Sequence, residues 1–128
     1  PGVKESIERF EPLYKLGIVS GSSLYGVQSV IRRLGVEGVF DPIVSFGDYK
    51  QYKPHPEPYL LALQKSGETP GESVAFEDTE SGIISAHGAH IPVIGATIGS
   101  RGRQDLSDDN RIVETLDDVT VDLIESLN

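Results

Sequence analysis

Leu16-Gly17-Ile18-Val19-Ser20-Gly21-Ser22-Ser23 reads as a short buried strand running into the start of a helix. Four mainly apolar residues make a strand length, and serine and glycine are the residue types that cap helices and turn a backbone. Downstream, Leu24, Val27, Val30, Ile31 and Leu34 recur at helical spacing, and Gly35 is a natural stop. Upstream, Val3, Ile7, Phe10 and Leu13 predict a helix that Pro12 ends near Glu11, because proline cannot donate and clashes one turn back. The unit then repeats. Ile43-Val44-Ser45-Phe46 is a second strand, followed by a loop over 47–58 holding Pro54, Pro56 and Pro58. Tyr59, Leu60 and Leu63 open a helix stopped near Gly67. Ser73-Val74-Ala75-Phe76 is a third strand, with a helix over roughly 81–88 behind it, and Ile91-Pro92-Val93-Ile94 is a fourth. Residues 99–110 are a polar loop, Ile112-Val113 a short edge strand, and Val121, Leu123, Ile124 and Leu127 a closing helix. Strands alternating with helices predict an α/β fold on a parallel sheet.

A chain of 128 residues is one domain. Its composition is globular, at 38% hydrophobic and 24% charged residues. No apolar run reaches membrane-spanning length, and no basic start followed by an apolar run reads as a secretory signal. Cysteine is absent, which excludes disulfides, thiolate metal sites and a cysteine nucleophile, and fits the cytoplasm. The formal charge of −9 is one-sided: residues 1–64 carry seven basic and seven acidic side chains, residues 65–128 four and thirteen. So acidic a chain is a poor partner for nucleic acid or anionic lipid, which bind clustered Lys and Arg. It remains compatible with a single phosphate held by a few donors and a metal. The chain starts Pro-Gly-Val and contains no Met, so it reads as a processed chain or a piece of a longer one.

In an open parallel sheet, ligands bind beyond the carboxyl ends of the strands. The first strand delivers Ser20, Gly21 and Ser22 there, the second leads to Lys53, and the third delivers Glu77 and Asp78. The Ser20 hydroxyl and the amides of Gly21 and Ser22 can donate to phosphate oxygens, aided by the helix N-terminus. Lys53, stiffened by Pro54, Pro56 and Pro58, offers a fixed ammonium. Glu77 and Asp78 are hard oxygen ligands that suit Mg²⁺. Each also has a plain structural reading. Ser22 or Ser23 can cap a helix, Lys53 can be a solvated lysine, and Asp78 or Thr79 can cap the next helix, whose first turn would hold Glu80. His55, His87 and His90 form no zinc pattern, and Asp105, Asp108 and Asp109 lack the glycine and glutamate of a calcium loop.

Taken in order, Pro1-Gly2-Val3, Gly17-Ile18-Val19-Ser20-Gly21-Ser22-Ser23, Lys53-Pro54-His55-Pro56-Glu57-Pro58-Tyr59 and Phe76-Glu77-Asp78-Thr79-Glu80-Ser81-Gly82-Ile83 resemble the haloacid dehalogenase superfamily. The likeness is to its β-phosphoglucomutase and phosphosugar phosphatase branch, and it runs from Pro1 to about residue 98. It implies a Rossmann-like three-layer sandwich with a parallel sheet, the chain forming the C-terminal part of the core domain. It also implies Mg²⁺-dependent phosphoryl transfer through an aspartyl-phosphate. Ser20 matches the second-motif residue that binds the transferring phosphoryl group, with Gly21 and Ser22 assisting. Lys53 matches the third-motif lysine, Asp78 the fourth-motif metal ligand, and Glu77 the acid before it, which can also reach the metal.

The sequence departs from the pattern in three places. Glu57 stands for the usual Asp, and His90 for a usual Gly. The third departure is an absence: the Asp-x-Asp pair holding the nucleophile and the acid/base does not occur. In the family that pair ends the central strand, upstream of Pro-Gly-Val, and the substrate-selecting cap lies there too. The sheet is therefore expected to lack its central strand, leaving two inward edges with unpaired groups. Self-association or completion by an N-terminal segment follows as an expectation. The expected function is a hydrolase acting on a small phosphorylated metabolite such as a sugar phosphate. The alternative is a non-catalytic phospholigand-binding or scaffold domain of the same fold. A receiver-like or nucleotide-binding domain fits less well, since no early acidic pair, phospho-accepting Asp or Walker-type loop occurs.

Overall fold

The computed structural model describes residues 3–96, 111–113 and Ile124. Chain order runs α1 Val3–Phe10, β1 Leu16–Val19, α2 Leu24–Leu34, β2 Phe40–Val44, α3 Glu57–Ser66, a 3₁₀ turn Pro70–Glu72, β3 Ala75–Glu77, α4 Glu80–Gly88, β4 Val93–Ala96 and β5 Arg111–Val113. All strand pairs are parallel. The predicted closing helix and the 99–110 loop lie outside the described residues, apart from Ile124, which is helical and buried.

The expected strand–helix boundaries hold where glycine or serine sets them. Ser23 caps α2, its hydroxyl accepting from the Gly26 amide at 3.1 Å, and Gly35 ends the helix at φ +71°. Gly67 ends α3 the same way at φ +76°. Three strands are displaced from the expected positions, β3 by starting at Ala75 and ending at Glu77 where 73–76 was expected. β2 begins at Phe40 and runs through Pro42, because its only described partner is β1 and an edge strand can spare a donor. Its expected end is diverted into a turn, where Asp48 accepts from the Ser45 amide at 2.9 Å. β4 begins at Val93, while the Pro92 carbonyl just before it accepts from the Ala75 amide at 2.9 Å.

Side chains alternate across the sheet and divide the core between two faces. Ile18, Phe40 and Ile43 pack with Ile7, Val27 and Ile31 of α1 and α2. Val19, Ala75 and Val93 pack with Tyr59 of α3, Ile83 and Ala86 of α4, and Ala89 just past its end. Helices thus cover both faces, giving the expected three layers. The sheet itself is in two parts, β1–β2 and β3–β4–β5, and no described strand lies between β1 and β3. The expected missing central strand corresponds to this break. No helix among the described residues is long and apolar enough to cross a membrane.

Candidate functional site

The carboxyl ends of β1 and β3 are joined by one side chain. The Lys53 ammonium donates to the Val19 carbonyl at 3.1 Å and to the Glu77 carboxylate at 2.7 Å. Val19 immediately precedes Ser20, and Glu77 immediately precedes Asp78, so all three expected loops meet at one rim. Ser20 donates its amide to Val44 on β2, which turns the neighbouring Val19 carbonyl toward the opposite, unpaired edge. Lys53 satisfies that carbonyl. The Lys53–Glu77 pair is largely shielded, with side-chain exposures of 19% and 8%.

Helix capping falls to Ser23 and to Thr79, whose hydroxyl accepts from the Gly82 amide at 3.0 Å. Ser20, Ser22 and Asp78 are therefore free of that duty, and Glu80 sits in the first turn of α4 as expected. The Ser20 hydroxyl oxygen accepts from the Ser22 amide at 3.0 Å, so this amide points back to Ser20. A side chain on Gly21 would meet open space, so its backbone borders a clear approach. Asp78 is exposed at the rim.

The loop bearing Lys53 is tied down by contacts that sequence reading missed. The buried Tyr49 hydroxyl donates to the Ser20 carbonyl at 2.8 Å, and burial raises its pKa above the usual tyrosine value. The Phe46 amide donates to the Ser22 carbonyl at 2.8 Å. Glu57 accepts from the amides of Lys50 and Gln51 at 3.1 and 3.0 Å, and the Lys50 amide above all holds this carboxyl below its ordinary range. His55 serves locally, its Nδ1 accepting from the Glu57 amide at 3.0 Å. The sequence shows Tyr59 only as a residue of the helix after the Lys53 loop and as the end of the Lys-Pro motif. Its hydroxyl donates to Glu77, and burial followed by that carboxylate pushes its pKa well above the usual tyrosine range. The available signal was general: a tyrosine that enters a core needs a partner for its hydroxyl.

Among the described residues, no three His, Asp or Glu side chains converge to hold a metal. One exposed Asp78 carboxylate beside Glu77 still fits Mg²⁺, which takes one or two protein carboxylates and completes its shell with water and phosphate oxygens.

A three-layer α/β sandwich with hydroxyl, ammonium and carboxylates at one strand-end rim places its chemistry where open parallel sheets bind ligands. Comparison with known proteins makes this specific. The family model described as haloacid dehalogenase-like hydrolase matches residues 1–96, and the chain belongs to that family. It is 37% identical over 102 residues to a phosphorylated carbohydrates phosphatase of Thermotoga maritima, covering 78% of this chain and 47% of that protein. It is 36% identical over 93 residues to pyrophosphatase PpaX of Bacillus pumilus, covering 73% and 43%. A β-phosphoglucomutase structure from Clostridium difficile superposes on 99% of this chain and 55% of that one with a TM-score of 0.85. At 24% identity that likeness shows the fold. The chain spans about half the length of the curated relatives it matches.

Proposed function

We propose that these residues form the phosphate- and metal-binding part of a Mg²⁺-dependent phosphatase or phosphomutase acting on a small phosphorylated metabolite, a sugar phosphate in the first instance. The observation that carries this is Lys53, fixed between the residue before Ser20 and the residue before Asp78. An ammonium there offsets charge on a phosphoryl oxygen, where phosphoryl-transfer enzymes gain most of their acceleration. The Ser20 hydroxyl and the Gly21 amide donate to the remaining oxygens. Asp78 and Glu77 are the acidic pair for Mg²⁺, with Asp78 facing outward; bound Mg²⁺ supplies Lewis-acid polarisation of the phosphoryl group. The named activities of the Thermotoga and Bacillus relatives support the substrate class. The cysteine-free composition supports a cytoplasmic setting.

The covalent step in this reading needs an aspartate nucleophile that these 128 residues do not supply as Asp-x-Asp. A second reading of the same residues is a non-catalytic phospholigand-binding domain. Two measurements separate them. Inorganic phosphate, followed by ³¹P NMR with Mg²⁺ present, should bind the chain, and Lys53→Ala should weaken binding about tenfold through loss of a charged contact. An aryl phosphate with Mg²⁺ should not turn over on this polypeptide alone. Robust turnover abolished by Asp78→Asn would show that a nucleophile is present after all. An Asp-x-Asp ending an apolar strand in the coding sequence before Pro1 favours the enzyme; an in-frame Met just before Pro1 favours the binding domain.

A further inference from the structure

We infer that Tyr59 is a positioning residue: through its hydroxyl it holds the Glu77 carboxylate against Lys53, and so fixes the ammonium between the ends of β1 and β3. Lys53 and Tyr59 both donate to the same oxygen of Glu77, Oε2. The lysine Nζ also lies 5.4 Å from the centre of the Tyr59 ring. One side chain therefore touches both members of the pair. Tyr59 is only 6% exposed, so water does not replace its hydroxyl. A shielded ion pair keeps its geometry when its spare lone pairs are satisfied, and it loosens when one buried donor is removed.

The other side of Glu77 is set by an empty volume. A Cβ at Gly82 would overlap the Glu77 carboxylate. The same face of α4 accommodates the Lys53 loop one and two turns further on. The Ser85 hydroxyl donates to the His55 carbonyl at 2.6 Å, and a side chain at Gly88 would press on Pro56 at 3.1 Å. Glu77 is thus confined between α4 and Tyr59, and Lys53 follows it. That the ammonium faces a phosphoryl group rests on the function proposed above; the positioning does not.

The test reads Lys53 directly, by residue-resolved acetylation of the full chain and mass spectrometry, with Lys4 and Lys65 as internal references. In the native protein Lys53 should react about tenfold more slowly than the references, as a shielded, hydrogen-bonded ammonium does. Tyr59→Phe preserves the ring and removes only the hydroxyl. It should speed Lys53 several-fold, about the effect of one lost charged hydrogen bond, with the references unchanged. Glu77→Gln should speed it further. A purely structural role for Tyr59 would leave Lys53 slow in Tyr59→Phe, and that result overturns the inference. A uniform rise at all three lysines overturns it as well, since it marks general loosening. Phosphate binding is measured on the same samples. If the native chain binds none, the proposed function fails while the Lys53 rates still decide the positioning.

Discussion

His90 is held at φ +65°, the one non-glycine residue in the left-handed region among those described. An L side chain there costs about 1–2 kcal/mol, because Cβ crowds the following carbonyl. Glycine removes that strain and gives back part of the gain through its freer unfolded chain. His90→Gly should therefore stabilise the protein by about 1 kcal/mol, seen as a melting midpoint several degrees higher. An unchanged or lower midpoint would mean that the exposed imidazole makes a compensating contact. The position illustrates what was legible at this scale. The substitution of His for a glycine was visible in the sequence, and the conformation that makes it matter was not. The rim positions of Ser20 and Asp78 were legible because a residue just beyond an apolar strand has one place to go, and Lys53 was singled out only through its proline-stiffened loop. Tyr59 was not, because its partner Glu77 lies 18 residues away and on another element.

The loop between β2 and α3 is held by carboxylates acting on backbone amides. Asp48 accepts from the Ser45 amide, and Glu57 from those of Lys50 and Gln51. Both carboxyls titrate below their ordinary values, in each case chiefly because a backbone amide prefers the anion. A lowered native pKa means that the unfolded chain takes up the proton first as pH falls. The contribution is complete above the ordinary carboxylate range and is lost as pH drops through the lowered native values, below about pH 4. Amide exchange at Lys50 and Gln51 should accelerate in that window, beyond its intrinsic pH dependence. Glu57→Gln should show the faster exchange already at neutral pH; if it does not, Glu57 does not anchor this loop. The core makes a sharper demand. Ile83 of α4 is 1% exposed, and Ile83→Ala should cost about 2–5 kcal/mol in a denaturant titration. At this scale the order of elements was legible from periodicity and glycine stops. The ends of β2 and β4 were not: β2 runs through Pro42, which a strand with one described partner tolerates, whereas β4 lies between β3 and β5 and starts only after Pro92, which has no N–H to give to the ladder.

For the whole molecule, the divided sheet is the governing feature. Among the described residues β1 pairs only with β2, and β3 only with β4. Backbone groups alternate sides along a strand. With the Ser20 and Ala75 amides spent on β2 and Pro92, those of Val19 and Phe76 point to the free edges. Lys53 satisfies the Val19 carbonyl at the rim, but one ammonium cannot replace a strand. Those edge amides, on half-buried Val19 and exposed Phe76, have no partner but water among the described residues and present a template for another strand. Such free edges pair with another chain. The 128-residue polypeptide should therefore sediment above its monomer mass of 13.9 kDa, with an apparent mass that rises with concentration. Amide exchange at Val19 and Phe76 should slow as association proceeds, while Ser20 and Ala75 stay protected throughout. A monomer at all concentrations, with Val19 and Phe76 as protected as Ser20 and Ala75, would mean that the edges are already paired within the chain.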